Sequence, residues 1–302
     1  MRFVVFAPSY NENSGGIIVL HKLCNLINES GHECYLYPFF PQYIVNRNDY
    51  KGILRLIGNS FLSKFKKYKI NKSFITPIFN DVINREDIVI YPETVLGNPL
   101  KAKNVVRWLL HKPGNFSKNI FYGQNEIYFK FDDGLVGDFK YYNSMTSDFK
   151  LNIWHVPFEI YNKNNINSKR EGEAFSIRKG LNKKLIYHNK NAINIDGLNH
   201  YQIADIFKKV ERFISYDSYS AYSSFAVLCG CKSIVIPDDN VSELEWYPDS
   251  DNRLGLSYGF DNLRFAEDTM NEKVLLMKKK DKQQLETVKE FINIICEYFK
   301  VK

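Results

Sequence analysis

The run Ile214-Ser-Tyr-Asp-Ser-Tyr-Ser-Ala-Tyr-Ser-Ser-Phe-Ala-Val-Leu-Cys-Gly-Cys-Lys-Ser-Ile-Val-Ile-Pro237 constrains the fold more than any other stretch of the chain. It reads as an apolar strand, a hydroxyl-rich turn, a helix over 220–228, a tight turn at Gly230 and a second apolar strand. A helix that starts directly beyond a strand points unpaired backbone N–H groups and its positive dipole end outward, and Ser220, Ser223 and Ser224 add hydroxyls there. Such an arrangement suits phosphate. The same pattern also describes a capped helix packed on a sheet through Phe225, Ala226 and Leu228.

Two blocks of alternating strand and helix surround this segment. In the first, residues 3–7 form an apolar strand, 8–16 a polar loop ending in glycine, 17–29 an amphipathic helix and 33–37 the next strand. That βαβ unit predicts a parallel sheet with ligands at its carboxyl edge. Residues 87–91 and 105–110 read as further strands, with shorter ones at 121–122 and 127–131. Residues 161–173, rich in Asn and Lys, have a linker's composition. Beyond them, strands are expected at 184–187, 212–215 and 233–237, helices at 200–210 and 220–228, and a closing amphipathic helix at 282–299. Two αβ blocks joined by a linker imply two domains facing a cleft.

Composition narrows the class. In 302 residues, 44% apolar and 15% aromatic side chains are ample for two cores. A net charge of +7 suits anionic small molecules, an anionic lipid surface or nucleic acid equally. The basic residues are scattered and form no recognised nucleic-acid module, so no nucleic-acid partner is expected. The five cysteines are scattered, with no C-x-x-C pair, so neither a disulfide framework nor a zinc site is supported and a reducing cytoplasm fits. The apolar run at the N-terminus is too short for a membrane span.

Several residues could carry chemistry. Ser14-Gly15-Gly16 lies between the first strand and helix, where Gly15 and Gly16 let a ligand approach the backbone. Neither G-x-G-x-x-G nor G-x-x-x-x-G-K-[ST] occurs. Arg178 and Lys179 stand at a glycine turn entering the second block and can neutralise a diphosphate, while Lys183 reads as solvated. Glu93, directly after a strand, can act as a general base, or it can pair with Arg107 or Lys101. His111, His155 and His200 are rivals. Asp132-Asp133-Gly134 has a turn's composition, and the absence of a strand-ending D-x-D argues against an obligatory metal. The interleaved Lys64, Lys66, Lys67, Lys69 and Lys72 fit either a helix with one solvated face or a segment resting on an anionic membrane.

Phe213-Ile-Ser-Tyr-Asp217, Ser223 and Leu228-Cys-Gly-Cys-Lys-Ser-Ile-Val-Ile-Pro237 resemble the donor-site segment of GT-B glycosyltransferases, in which a turn of the A-C-G-C-P-V-V type follows the helix that holds the nucleotide diphosphate. Tyr91-Pro-Glu93, Asn98-Pro99, Arg107-Trp108 and Arg178-Lys-Gly180 are similar to short bacterial O-antigen and capsular polysaccharide transferases. The resemblance implies an α/β fold of two Rossmann-like parallel-sheet domains: an acceptor domain over 1–160, a linker over 161–173, a nucleotide-sugar donor domain over 174–282, and a helix over 283–302 that packs back on the first domain. It further implies that Asp217, Ser220, Tyr222, Ser223 and Ser224 contact the diphosphate side of the donor, that Glu243 or Glu245 contacts ribose or sugar, and that Asp196 and His200 line the base pocket. Many retaining members carry two Glu eight positions apart across this helix; here those positions hold Asp217 and Phe225.

The expected function is therefore transfer of a sugar from a nucleotide-activated donor to a hydroxyl of a glycan or lipid-linked glycan at the bacterial surface, inverting and metal-independent, with Glu93 as base. No cofactor is expected beyond the nucleotide-sugar co-substrate. The place is the cytoplasm, with contact to the inner face of an anionic membrane. Two alternatives stand beside it, a nucleotide-sugar epimerase of the same fold and a non-catalytic basic adaptor of membrane or glycan assembly.

Overall fold

A computed structural model of the protein describes residues 1–38, 67–115 and 120–301, which divide into two units: 1–155 with 283–302, and 156–282. Both are α/β with all-parallel sheets, the fold class expected from the sequence.

The first unit holds β1 (Arg2–Ala7), α1 (Gly15–Glu29), β2 (Glu33–Pro38), β3 (Ile88–Pro92), β4 (Asn104–Leu109), β5 (Ile127–Lys130), α2 (Asp133–Val136) and β6 (Met145–Lys150). Its strands lie in the order β2-β1-β3-β4-β5-β6. Alternation along the strands feeds two cores. Phe3, Val5, Ile88, Ile90, Val106 and Trp108 point to one face and Val4, Phe6, Val89, Tyr91 and Val105 to the other, so the sheet is buried on both sides.

The second unit holds β7 (Glu173–Ser176), β8 (Ile193–Asn194), α3 (His200–Lys209), β9 (Arg212–Ser215), α4 (Ala221–Leu228), β10 (Lys232–Val235), α5 (Glu243–Trp246), α6 (Ser250–Arg253) and β11 (Leu256–Tyr258), in the sheet order β11-β10-β9-β7-β8. One face packs under α3 and α4 through Ala174, Phe207, Phe213, Phe225 and Ala226. The other gathers Ile214, Tyr216, Ile234 and Ile236. The final helix, α7 (Leu263–Phe299), is about twice the expected length, because its first half also carries apolar residues at helical spacing, Ala266, Met270, Val274 and Met277, the last three of which pack against the cores of the second unit. Its last part places Val288, Phe291, Ile292 and Ile295 in the core of the first unit. No described helix is long and apolar enough to cross a membrane.

Several expectations are corrected. The 184–187 segment is no strand: Leu185, Ile186 and Tyr187 are exposed and irregular, since an apolar triplet forms a strand only where a neighbour pairs with it. Residues 161–173 are no free linker, because Tyr161 is fully buried in the second unit's core. Residues 121–122 are irregular as well. Of the basic segment, Lys64 and Lys66 lie outside the described residues. Residues 67–72 are irregular rather than helical, and there the Tyr68 hydroxyl donates to the carbonyls of Ala7 (3.0 Å) and Pro8 (3.2 Å).

Candidate functional site

In an open parallel sheet, a ligand site forms where two adjacent strands send their following chains to opposite sides, leaving a gap at their carboxyl ends. In the second unit that point lies between β7 and β9. The chain leaving β7 is Ile177-Arg178-Lys179-Gly180, and the chain leaving β9 is Tyr216-Asp217-Ser218. These loops touch so closely at Gly180 that a Cβ there would overlap the Tyr216 carbonyl, so only glycine fits.

Asp196, which follows β8, shapes the first loop. Its carboxylate accepts from the Ser176 hydroxyl (2.5 Å), from the Ile177 N–H (2.8 Å) and from the Arg178 N–H (3.2 Å). Arg178 is thereby held at φ 40°, a left-handed conformation that costs a non-glycine residue energy. The strain has a visible result, for the guanidinium lies 5.2 Å from the centre of the Tyr222 ring, a cation over an aromatic face at the start of α4.

At that helix start, Ser220 is the N-cap and its hydroxyl accepts from the Tyr222 N–H at 3.3 Å. Ser223 is buried, and its Oγ has no hydrogen-bond partner among the described residues. An unsatisfied buried hydroxyl costs roughly 1–3 kcal/mol, so it is unusual without a purpose. Ser224 is half-buried in the same turn. Asp217 turns inward, accepting from the Tyr219 N–H at 3.2 Å. Arg178, Ser220, Tyr222 and Ser223 therefore converge on one helix N-terminus, whose dipole favours an anion.

Lys183 is not solvated, contrary to the sequence reading. Its ammonium donates to the Ser218 hydroxyl (2.7 Å) and the Ile236 carbonyl (2.6 Å) and pairs with Asp238 (2.8 Å), tying the β7, β9 and β10 loops together. Lys179 is exposed on the same loop. His200 opens α3 and lies 2.7 Å by Nδ1 from the Tyr161 hydroxyl, with its ring 5.9 Å from that of Tyr222. Glu243 and Glu245 sit in the short α5, where Glu243 accepts from the Asn262 side chain (2.8 Å) and Glu245 closes a capping box with Ser242. Among the described residues, Glu243 and Glu245 are thus engaged by Asn262 and Ser242. Phe225 stacks on Tyr161 at 4.5 Å, a core contact.

The first unit has its own switch point, between β1 and β3. The chain after β1 leads to Ser14, whose side chain makes no cap, and then to Gly15 and Gly16 at the start of α1. A Cβ at 15 would meet nothing, and one at 16 would rest 3.7 Å from Leu110. Glu93 follows β3. It is almost fully buried, its carboxylate accepts from the Leu110 N–H (3.0 Å), and burial pushes its pKa up to about 7. The expected alternative, an ion pair with Arg107, is not formed: Arg107 binds Glu126 through two nitrogens, at 2.6 and 2.9 Å. Glu93 thus has the poise of a group that exchanges a proton near neutrality. His21, buried beneath the same edge, uses Nε2 on the Pro8 carbonyl at 2.9 Å, and burial lowers its pKa.

Asp132 caps α2 by accepting from the Gly134 N–H at 2.8 Å, and Asp133 pairs with Lys130 and Lys150. Two features escaped the sequence reading: the orphaned state of the Ser223 hydroxyl and the carboxylate clamp of Asp196. The second could have been sought as an acid at the end of a strand beside a predicted phosphate loop.

No family model and no curated protein matches this chain. Among solved structures, the crystal structure of Acinetobacter baumannii MurG matches over 95% of this chain and 94% of its own, at 7% identity and a TM-score of 0.34.

Proposed function

We propose that the protein is a nucleotide-sugar-dependent glycosyltransferase whose second unit binds the donor diphosphate at the β7/β9 switch point. The observation that carries this reading is the convergence of Arg178, held at φ 40°, with the uncompensated Ser223 hydroxyl at the N-terminus of α4. A buried hydroxyl without a partner and a cation over Tyr222 both gain when a phosphate oxygen arrives.

In this reading Glu93 takes the proton of the acceptor hydroxyl. The acceptor oxygen then bonds to the anomeric carbon, the bond from that carbon to the phosphate oxygen breaks, and the electron pair leaves with the diphosphate. Arg178 and the N–H groups of α4 stabilise that departing charge. Direct displacement inverts the anomeric centre and asks for no metal. The acceptor is a hydroxyl of a bacterial surface glycan, free or lipid-linked.

The test is a thermal-shift and calorimetric screen of the whole chain against nucleoside diphosphates and their sugars. Binding by at least one, weakened about tenfold or more by Arg178→Ala, is expected. If no nucleotide binds at millimolar concentration, the reading is wrong. Isomerised sugar from donor alone would replace it with an epimerase.

A further inference from the structure

In the second unit the crossover from β7 to β8 contains no helix. Residues 177–192 instead run as an irregular strap from the carboxyl end of β7 to the level of its amino end. Its anchors are few. Lys183 holds the first end through Ser218 and Asp238. The Tyr187 N–H donates to the Tyr216 hydroxyl at 3.0 Å, His188 stacks on Phe175 at 3.8 Å, and the Asn189 N–H donates to Glu173 at 2.8 Å.

Between these anchors the strap turns large apolar side chains outward. Leu181 is 81% exposed and Ile186 71%, with Leu185 and Tyr187 less so. Phe260, stacked on Tyr187 at 6.3 Å, extends the same apolar surface. A helix in this place would bury such residues on the sheet; here they face away. The charge pattern is one-sided, since residues 178–194 include Arg178, Lys179, Lys183, Lys184 and Lys190 and not one Asp or Glu.

We propose that this strap docks the protein on an anionic phospholipid bilayer, with Leu181, Leu185 and Ile186 inserting at the headgroup boundary and Lys184 and Lys190 meeting lipid phosphates. Aliphatic side chains set beside Lys184 and Lys190 match both faces of such a membrane, the apolar interior and the negative headgroups, while Asp238 and Asp196 at the strap's first end are engaged by Lys183 and by the Ser176, Ile177 and Arg178 donors. A protein partner would need its own acidic, apolar counterpart, whereas an anionic bilayer supplies both everywhere. The inference stands apart from the proposed sugar transfer, and it places membrane contact on the second unit rather than on the basic 64–72 segment.

Co-sedimentation of the full chain with vesicles of phosphatidylcholine alone, and with phosphatidylglycerol added, tests this. Binding only to the anionic vesicles, weakening as salt rises, is expected. The double variant Leu181→Asp/Ile186→Asp should bind about tenfold less or worse, and Lys184→Glu/Lys190→Glu should lose binding in parallel. All four residues are exposed, and an unchanged near-ultraviolet circular dichroism spectrum confirms the fold; where the aspartate pair perturbs it, the lysine pair decides. The proposal is overturned if the wild type ignores anionic vesicles, including the case in which it self-associates through this surface. It is overturned equally if both variants bind as the wild type does, or if Lys67→Glu/Lys69→Glu/Lys72→Glu abolishes binding while the strap variants keep it.

Discussion

Gly180 packs against the backbone of Tyr216 so tightly that a Cβ at position 180 would lie 2.7 Å from the Tyr216 Cβ and overlap its carbonyl group. This contact joins the two loops that define the switch point of the second unit. Gly180→Ala must therefore push the β7 and β9 loops apart, since the new Cβ meets backbone atoms of Tyr216 and no side-chain rotation relieves that clash. A loss of about 1–3 kcal/mol in urea unfolding is expected, together with loss of nucleotide binding in thermal-shift assays. Wild-type stability in this variant would show that the loops yield freely.

Ser223→Ala separates a structural hydroxyl from a ligand-binding one. The Ser223 Oγ makes no hydrogen bond among the described residues, so its removal leaves no protein group unpaired. The ligand-free variant should be as stable as the wild type or slightly more so, and nucleoside diphosphate affinity should fall about tenfold, the worth of one hydrogen bond to a charged oxygen. A variant that is destabilised yet binds nucleotide normally would assign Ser223 to packing.

Asp196→Ala removes the acceptor of the Ser176 hydroxyl and of the Ile177 and Arg178 N–H groups. Without that clamp the turn closed by the Gly180 N–H on the Ile177 carbonyl (2.7 Å) loses its carboxylate support, and the Arg178 side chain should leave the face of Tyr222. Expected are a modest stability loss of about 1–2 kcal/mol, since the carboxylate is exposed, and a larger proportional loss of nucleotide affinity. Equal affinity in both proteins would confine Asp196 to loop stability.

Much of this arrangement was legible in the sequence because the 214–237 segment packs against its immediate neighbours in the chain: the strand Arg212–Ser215 and the cap at Ser220 stand as read. The strand β7 was not, since four residues beside a polar stretch leave too short a pattern, and its pairing partner β9 lies more than thirty positions onward. Leu185-Ile186-Tyr187 has a strand's residues without a strand's partner, so the sequence could not tell an exposed strap from a buried element. Lys183 was misread for a related reason. Its three partners, Ser218, Ile236 and Asp238, come from distant loops that only the folded sheet assembles.

Phe225→Glu tests whether position 225 belongs to the core. Its ring is buried and stacked on Tyr161 at 4.5 Å, inside the cluster that includes Phe207 and Phe213. A carboxylate there would be desolvated among aromatic rings, at a cost of several kcal/mol. Thermal unfolding should drop sharply, while Phe225→Leu loses far less. If the glutamate variant keeps its stability and binds nucleotide more tightly, the site has room to grip a ribose and position 225 is not core.

Glu93 offers the last and most informative test, because one substitution has opposite consequences for stability and for transfer. Burial raises its folded pKa from the ordinary 4.5 to about 7, so the folded protein prefers the protonated carboxyl. Below about pH 4.5 both folded and unfolded chains hold the proton and stability is unaffected. As pH rises toward 7 the unfolded chain ionises first, and stability falls by about 3 kcal/mol at about 1.4 kcal/mol per pH unit. Glu93→Gln keeps an acceptor for the Leu110 N–H but cannot ionise, so this part of the pH dependence should vanish and the variant should match or exceed the wild type at pH 8. Transfer should behave in the opposite way: the wild-type rate climbs with pH through about 7 as the base ionises, and the variant binds donor but does not turn over. Urea titrations across pH, beside a rate profile, read both effects. A glutamine variant that transfers sugar normally would remove Glu93 from the chemistry, even if its stability profile flattened as expected.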